Sequence, residues 1–318
     1  FVNLEASSTI SLSREEQRML VRDLFLGRDT ARPGAAIPLA RPDFSGAAAD
    51  LGVTWFGHSS VLIEIDGYRV LADPVWSERC SPSQTVGPRR MHPVPAGLDT
   101  LPALDAVIIS HDHYDHLDVE TIWSLARTQR CSFFVPLGVG AHLRHWGIAP
   151  ERIVELDWDG EGAVGELRIV CTPARHFSGR FLTRNTTLWS SWAMIGPRHR
   201  AFFGGDTGYT GSFADIGEAH GPFDLTLMPV GAYHPGWPDI HMNPEEAVRA
   251  HLDVTDAGRG VFVPIHWATF RLAPHPWSEP VERLLAAARP AGVTVVVPMP
   301  GAQVRPGSVD LEDDWWQL

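Results

Sequence analysis

The chain has 318 residues, 44% of them apolar and 20% charged, the balance of an ordinary soluble globular protein with one large domain or two average ones. A formal net charge of -12 argues against a binder that works by neutralising nucleic-acid phosphates, so no nucleic-acid partner is expected, although a nuclease carrying bound metal stays open. No apolar run reaches the ~18 residues of a membrane span, and Cys80, Cys131 and Cys171 are an odd set without C-x-x-C spacing, which favours a reducing compartment.

These features set an expectation of a cytoplasmic protein with at most peripheral contact at the inner membrane face. They leave the oligomeric state open. The chain starts at Phe1 with neither an initiator Met nor a basic-then-apolar leader, so any leader is expected to have been trimmed or left out. Residues 1–50 read as an N-terminal arm packing on the core. Within it Ser13 and Glu16 have capping-box spacing, and Leu12, Met19, Leu20, Leu24 and Phe25 mark one short amphipathic helix. Arg32-Pro33-Gly34 and Arg41-Pro42-Asp43 break the pattern.

From Leu51 the chain reads as one hydrolase-type domain, 51–318. Strands are expected over 53–56, 61–65 and 68–71, the last two joined by an Asp66-Gly67 hairpin turn. Residues 77–104 form an irregular stretch rich in Pro, Gly and Arg, a length of loop that often serves function. The apolar run Ala106-Val107-Ile108-Ile109 predicts a strand, and a helix follows over 119–126. Further strands are expected over 132–135, 153–156, 167–172, 187–195, 201–204, 224–228, 260–264 and 293–297. Helices fit 138–146, 244–252 and 280–288, the second with Pro244 near its start. Strands first, then mixed strands and helices, imply an α/β four-layer αβ/βα sandwich.

Between the fourth strand and its helix lies Ser110–Asp118, S-H-D-H-Y-D-H-L-D, which offers His111, His113, Asp115 and His116 on one loop. A buried strand would not carry four such groups without partners. Later strand ends each bring one more polar group: His176 after Cys171-Thr172, Asp206 in Gly204-Gly205-Asp206-Thr207-Gly208, and His266 after Val263-Pro264-Ile265. A lone strand-end His is more often a hydrogen-bonded structural residue. Several delivered to one edge are how a rigid scaffold builds a polynuclear site. Two divalent ions take about three to four protein ligands each. His111, His113 and His176 suit one, Asp115, His116 and His266 the other, and Asp206 has two oxygens to bridge them. An all-N/O set suits Zn²⁺, with Mn²⁺ or Fe also fitting.

This H-x-H-x-D-H loop with a distant His, a Gly-Asp-Thr and a final His resembles the metallo-β-lactamase superfamily. The resemblance is closer to its N-acyl-phosphatidylethanolamine-hydrolysing phospholipase D branch and the bacterial relatives of that branch. The residues that carry it include Thr54-Trp55-Phe56-Gly57-His58, Ser81-Pro82-Ser83-Gln84, Gly87-Pro88-Arg89-Arg90, Leu188-Trp189-Ser190-Ser191-Trp192, Gly231-Ala232-Tyr233 and His266-Trp267. It spans about residues 51 to 280 and implies the metallo-β-lactamase fold and the seven metal ligands above. The chain departs from mammalian members at Phe177-Ser178-Gly179-Arg180 and at His234-Pro235-Gly236-Trp237, and near Met299-Pro300-Gly301-Ala302. The first two changes are expected on pocket loops, so they bear on the substrate more than on the chemistry.

The implied activity is a binuclear zinc-dependent phosphodiesterase of phospholipase-D type. It would cleave N-acyl-phosphatidylethanolamine-like or simpler phosphodiesters through a metal-bridging hydroxide. Asp206 is expected to steer the nucleophile and take its proton, and His241 to act as the acid, a helix-entry hydrogen bond being its competing role. Asp73 and His58 are expected to orient ligands. Arg89 and Arg90 are candidates for a phosphate clamp, against a solvated loop. Trp189, Trp192, Trp237 and Trp267 are candidates for an acyl groove, against simple core packing, with Tyr233 beside them. The runner-up is a lactonase or weak β-lactamase on the same metals. Less favoured are a di-iron redox protein, because His113 stands where that branch commonly has Glu, and a non-enzymatic binding module.

Overall fold

Strands β1 (Leu51–Gly57), β2 (Ser60–Ile65) and β3 (Tyr68–Ala72) make an antiparallel meander. Asp66 and Gly67 both take positive φ, 48° and 88°, the hairpin geometry whose twist matches the strands it joins. Strands β4 (Ala106–Ile108), β5 (Ser132–Pro136) and β6 (Ile153–Leu156) then add in parallel, connected through α1 (Val119–Thr128) and α2 (Val139–His145). The computed structural model describes residues 1–7, 14–15, 18, 31–180, 182–306 and 314–318.

The second half repeats the plan. Strands β7 (Glu161–Val164), β8 (Leu167–Thr172), β9 (Ser191–Ile195) and β10 (Arg200–Phe203) are antiparallel. Strands β11 (Leu225–Pro229), β12 (Val261–Ile265) and β13 (Thr294–Val295) follow in parallel, with α3 (Ser212–His220), α4 (Pro244–Val254) and α5 (Glu279–Ala291) between them. Strand β14 (Gln303–Val304) returns to pair with β1. The result is two seven-stranded sheets, ordered β14-β1-β2-β3-β4-β5-β6 and β13-β12-β11-β10-β9-β8-β7.

Period-two alternation explains the layering. Val53, Trp55, Val61, Ile63 and Val70 share one core with Ile169, Met194 and Leu227 of the second sheet. Their neighbours Phe56, Leu62, Leu71 and Val107 turn the other way and pack with Ile122 and Leu125 of α1 and Val139 and Leu143 of α2. Phe213, Ala247, Val248 and Leu284 bring α3, α4 and α5 onto the outer side of the second sheet. Both faces of each sheet are therefore covered, in the αβ/βα sandwich of the metallo-β-lactamase fold.

Several boundaries differ from expectation. Strand β9 begins at Ser191 because the Leu188 and Ser190 N–H groups donate to Leu137 and Ser110 carbonyls, at 2.7 and 2.9 Å, and so tie this stretch to loops of the first sheet. Helix α3 escapes a periodicity reading because only Phe213 and Ile216 are buried on it. Strand β7 is half-exposed and β14 two residues long, too short for a pattern. The expected helix around Leu12–Phe25 lies, apart from Arg14, Glu15 and Arg18, outside the described residues. Farther along the arm, Ile37 joins the central core and the Ala40 N–H donates to the Pro300 carbonyl. Among the described residues no helix is long and apolar enough to cross a membrane.

Candidate metal centre

The ligand loop is held from beneath by Asp73, which follows β3 directly. Its carboxylate accepts the Ser110 N–H at 2.7 Å, the Ser110 hydroxyl at 2.5 Å and His116 Nδ1 at 2.6 Å. Because a carboxylate only accepts, His116 keeps its proton on Nδ1 and turns Nε2 toward the other ligands. Asp73→Asn would point an amide N–H at that nitrogen or lose the bond. We expect it to weaken metal binding by about 10- to 100-fold in a chelator-competition titration; unchanged affinity would remove Asp73 from this role.

The other ligands arrive from the second sheet. His176 lies past β8, Asp206 past β10 and His266 past β12. Two glycines let the Asp206 turn reach the site. Gly205 has φ 60°, and a Cβ there would sit 2.6 Å from Ser110 Cβ. A Cβ on Gly208 would collide with the Asp239 carbonyl, on the loop that carries His241. The Gly-Asp-Thr-Gly motif is thus a point where three backbones meet.

The side chains converge as two groups. His111 Nε2 and His176 Nε2 lie 2.8 and 3.4 Å from His113 Nδ1. Asp115 Oδ2 lies 3.4 Å from both His116 Nε2 and His266 Nε2. Asp206 stands between the groups: Oδ1 is 3.0 Å from His266 Nε2, and Oδ2 is 3.2 Å from His116 Nε2, 3.7 Å from His176 Nε2 and 4.0 Å from His111 Nε2. Within each group the candidate ligand atoms lie inside 4.8 Å of one another. For comparison, two nitrogens on a tetrahedral ion with bonds of 2.0–2.1 Å sit about 3.3 Å apart. His116 Nε2, His266 Nε2 and Asp206 Oδ1 are buried yet make no hydrogen bond, despite those short separations. Buried nitrogens and carboxylate oxygens crowded at such separations without hydrogen-bond geometry are what a cation site requires. The clustered residues therefore fit divalent-cation binding.

Charge separates the two groups. Burial holds His111, His113 and His176 below the usual imidazole value, so these rings are neutral ligands at pH 7. Burial also opposes charge on His116 and His266, but adjacent carboxylates outweigh it. Asp206, Asp115 and Asp73 hold His116 well above its ordinary value, and Asp206 and Asp115 raise His266 to about 9. Against their own burial, Asp115 and Asp206 are held well below the carboxylate range, His116 being the strongest opposing influence on each.

The remaining candidates sort by surroundings. His58 sits at the end of β1 with φ 52°, its N–H donating to Thr269 Oγ1 at 2.6 Å and its Nε2 lying 2.9 Å from Asp115 Oδ2. It lies within ligand range of the Asp115, His116 and His266 group as well as contacting Asp115. Burial lowers it to about 3. His241 Nδ1 is buried, unpartnered and 3.9 Å from Asp206 Oδ2. Burial lowers His241 to about 4, so the ring is neutral at pH 7. Beside it a cavity of about 400 Å³ is lined by Tyr233, His234, Pro235, Pro238 and Glu279 among others. The Tyr233 hydroxyl donates to Glu279 Oε1 at 2.5 Å. Trp237 packs against His234 at 4.6 Å and donates to the Ala232 carbonyl.

The arginines and most tryptophans are engaged elsewhere. Arg89 is exposed and paired with Glu78. The Arg90 guanidinium is buried against Phe270, 5.2 Å from its ring, and burial lowers it to about 10. Both line a cavity with Trp76 and Glu78, apart from the one beside His241. Trp189 and Trp192 are core residues whose indole N–H groups donate to the Ala174 and Ile109 carbonyls, and Trp267 stacks on Trp55 at 5.8 Å. Sequence reasoning gave no role to Thr269 or Asn3. Their partners lie 211 and 173 residues away, and no local pattern marks them.

Residues 68–267 match the Beta-lactamase superfamily domain. The chain belongs to this superfamily. Membership makes it a metal-dependent hydrolase, in keeping with its clustered His and Asp side chains. Over its whole length it is 65% identical to Rv0906, an uncharacterized protein of Mycobacterium tuberculosis, and covers 86% of it. Over 233 residues, 69% of this chain, it is 40% identical to N-acyl-phosphatidylethanolamine-hydrolyzing phospholipase D 1 of Caenorhabditis elegans, and it spans 64% of that protein's length. In structure it resembles Igni18, a metallo hydrolase from Ignicoccus hospitalis. The TM-score is 0.60 at 24% identity, with 80% of this chain and 97% of that one covered, a likeness of superfamily fold.

Proposed function

We propose that the protein is a binuclear phosphodiesterase of phospholipase-D type, acting on N-acyl-phosphatidylethanolamine-like or simpler phosphodiesters. The observation that carries this reading is the pair of ligand groups joined by Asp206, with a cavity opening beside His241. The similarity to the Caenorhabditis elegans phospholipase supports the choice of a phosphodiester over an acyl ester. Bound divalent cations, Zn²⁺ by the ligand chemistry, would supply positive charge against the phosphoryl oxygens and acidify water at the site.

The chain's own groups do the rest. His111, His113 and His176 would hold one ion, and Asp115, His116 and His266 the other. Asp206 lies between the two groups and is the carboxylate placed to accept a proton from the attacking water. His241, neutral at pH 7, hydrogen-bonds the leaving oxygen. His58 fixes the orientation of Asp115 through its 2.9 Å contact. The cavity beside His241 is of small-ligand size and takes the leaving group, with Tyr233 in its wall and Trp237 behind His234. Residues 51–318 form the hydrolase domain and residues 1–50 an arm on it.

The test is a parallel panel on the zinc-loaded full chain: N-acyl-phosphatidylethanolamine in mixed micelles, bis(p-nitrophenyl) phosphate, simple lactones and a chromogenic β-lactam. Turnover of either phosphodiester with phosphate-monoester release is the expected result. Turnover confined to lactones or β-lactams would replace this reading with the carbonyl-hydrolase one.

A further inference from the structure

His176 lies between β8 and β9, a stretch in which the described residues form no regular element beyond the Arg175–Gly208 bridge. A metal ligand on such a loop needs its backbone fixed from outside. The side chain of Asn3 takes both backbone polar groups of His176. Asn3 Nδ2 donates to the His176 carbonyl at 2.8 Å, and the His176 N–H donates to Asn3 Oδ1 at 3.0 Å. One carboxamide thus acts as a single rung of sheet across 173 residues of sequence.

The carboxamide is itself anchored. Trp189 Nε1 donates to Asn3 Oδ1 at 2.8 Å, and Asn3 Nδ2 also donates to Ser7 Oγ at 2.9 Å. Those contacts orient the amide, with the oxygen toward the indole N–H. The same stretch reaches the next ligand turn. Glu5 Oε1 accepts the Thr210 hydroxyl at 2.8 Å and the Gly211 N–H at 2.6 Å, a few residues past Asp206. The Ala6 carbonyl accepts from Arg175, whose guanidinium also pairs with Asp239 at 3.0 Å, close to His241. Residues 3–7 therefore touch the segments that carry His176 and Asp206, and reach the His241 loop only through Arg175. On the ring side, His176 Nδ1 meets the Ile240 carbonyl at 2.8 Å, which leaves Nε2 for the His111/His113 group. Backbone and ring of this ligand are fixed independently, the backbone by Asn3.

We propose that Asn3 is a positioning residue of the metal centre, and that the Asn3–Ser7 stretch acts as a working part of the His111/His113/His176 site. The inference rests on the reading of those three histidines as one ion's ligands. Asn3→Ala removes the rung. The isosteric Asn3→Asp keeps the acceptor for the His176 N–H but sets a carboxylate oxygen against the His176 carbonyl. Supports of this kind are worth about 10- to 100-fold in metal affinity.

The experiment loads the full chain with Zn²⁺ and with Co²⁺, then measures chelator competition and the Co²⁺ visible absorption for wild type, Asn3→Ala, Asn3→Asp and His176→Ala. The expected result is one weakened and one unchanged site in both Asn3 variants, with the Co²⁺ band of the weakened site altered as in His176→Ala. Should Asn3→Ala fail to fold, Asn3→Asp decides the matter with the same side-chain volume. Two sites of wild-type affinity and spectrum in a folded Asn3 variant would overturn the inference and leave the metal reading intact. Unchanged stoichiometry and spectrum in His176→Ala would instead overturn the metal reading itself.

Discussion

Replacing Asp206 by Ala is expected to lower kcat/KM by about 10³-fold or more, equivalent to about 4 kcal/mol of transition-state stabilisation. Asp206 reaches both ligand groups, with one oxygen 3.0 Å from His266 and the other 3.2 Å from His116 and 3.7 Å from His176. The carboxylate is also the main counter-charge to two rings that are protonated without metal, His116 and His266. Its removal would strip the bridge, the proton acceptor and that balancing charge together. Asp206→Asn separates these losses. The amide keeps the shape and one acceptor, so the fold survives, while the net positive charge of the site rises and an ion is lost. Elemental analysis of the purified variants alongside kcat/KM on a substrate from the panel is the check. An Asp206→Ala protein that kept two ions and wild-type turnover within about tenfold would contradict the bridging assignment.

The fold was readable where both faces of a strand are buried. Val61–Ile65 and Ala106–Ile109 stand out as near-continuous apolar runs because one set of side chains meets the other sheet and the alternate set meets helices. The ligand loop was readable for a different reason: four ligand groups within six residues have no economical explanation as surface or core. Its supporting contacts were not. Asp73 and His116 are 43 residues apart, His58 and Asp115 57, Asn3 and His176 173. Each pairing depends on how two sheets stack, and single residues at such separations leave no periodicity to detect. The Trp excess is largely core packing, the alternative its composition left open. Trp55, Trp267, Trp277 and Trp315 pack on one another within 6.2 Å, so much of the indole surface fills the core rather than lining a groove. His241 was found as a candidate, but only its burial shows that the ring rests neutral.

The protonation pattern leads to the second large effect, on metal loading against pH. A ligand ring must be unprotonated to bind, so metal competes with protons wherever the metal-free value lies above the working pH. His111, His113 and His176 are held below the ordinary imidazole value by burial, and at pH 7 and above they have no proton to lose. His116 is held well above it and His266 lies at about 9, both kept charged by Asp115 and Asp206. Below its metal-free value each such ring costs the ion one decade of affinity per pH unit. From pH 7 to pH 9, His266 alone raises affinity at the Asp115/His116/His266 group about 100-fold, and His116 steepens the rise. The His111/His113/His176 group stays flat across the same range. The sign is fixed by the direction of each shift: raised histidines release protons on loading, lowered ones do not. Calorimetric titration of the metal-free chain with Zn²⁺ in buffers of different ionisation enthalpy reads that release directly. The expected outcome is one binding phase with near-zero proton release and one approaching two protons at pH 7. Two phases with equal release and equal pH slopes would mean that Asp206 and Asp115 do not divide the site as their contacts indicate. With the expected unequal slopes the protein would load in two steps between neutral and alkaline pH, the His-only group first, with catalysis appearing only when the carboxylate-bearing group fills.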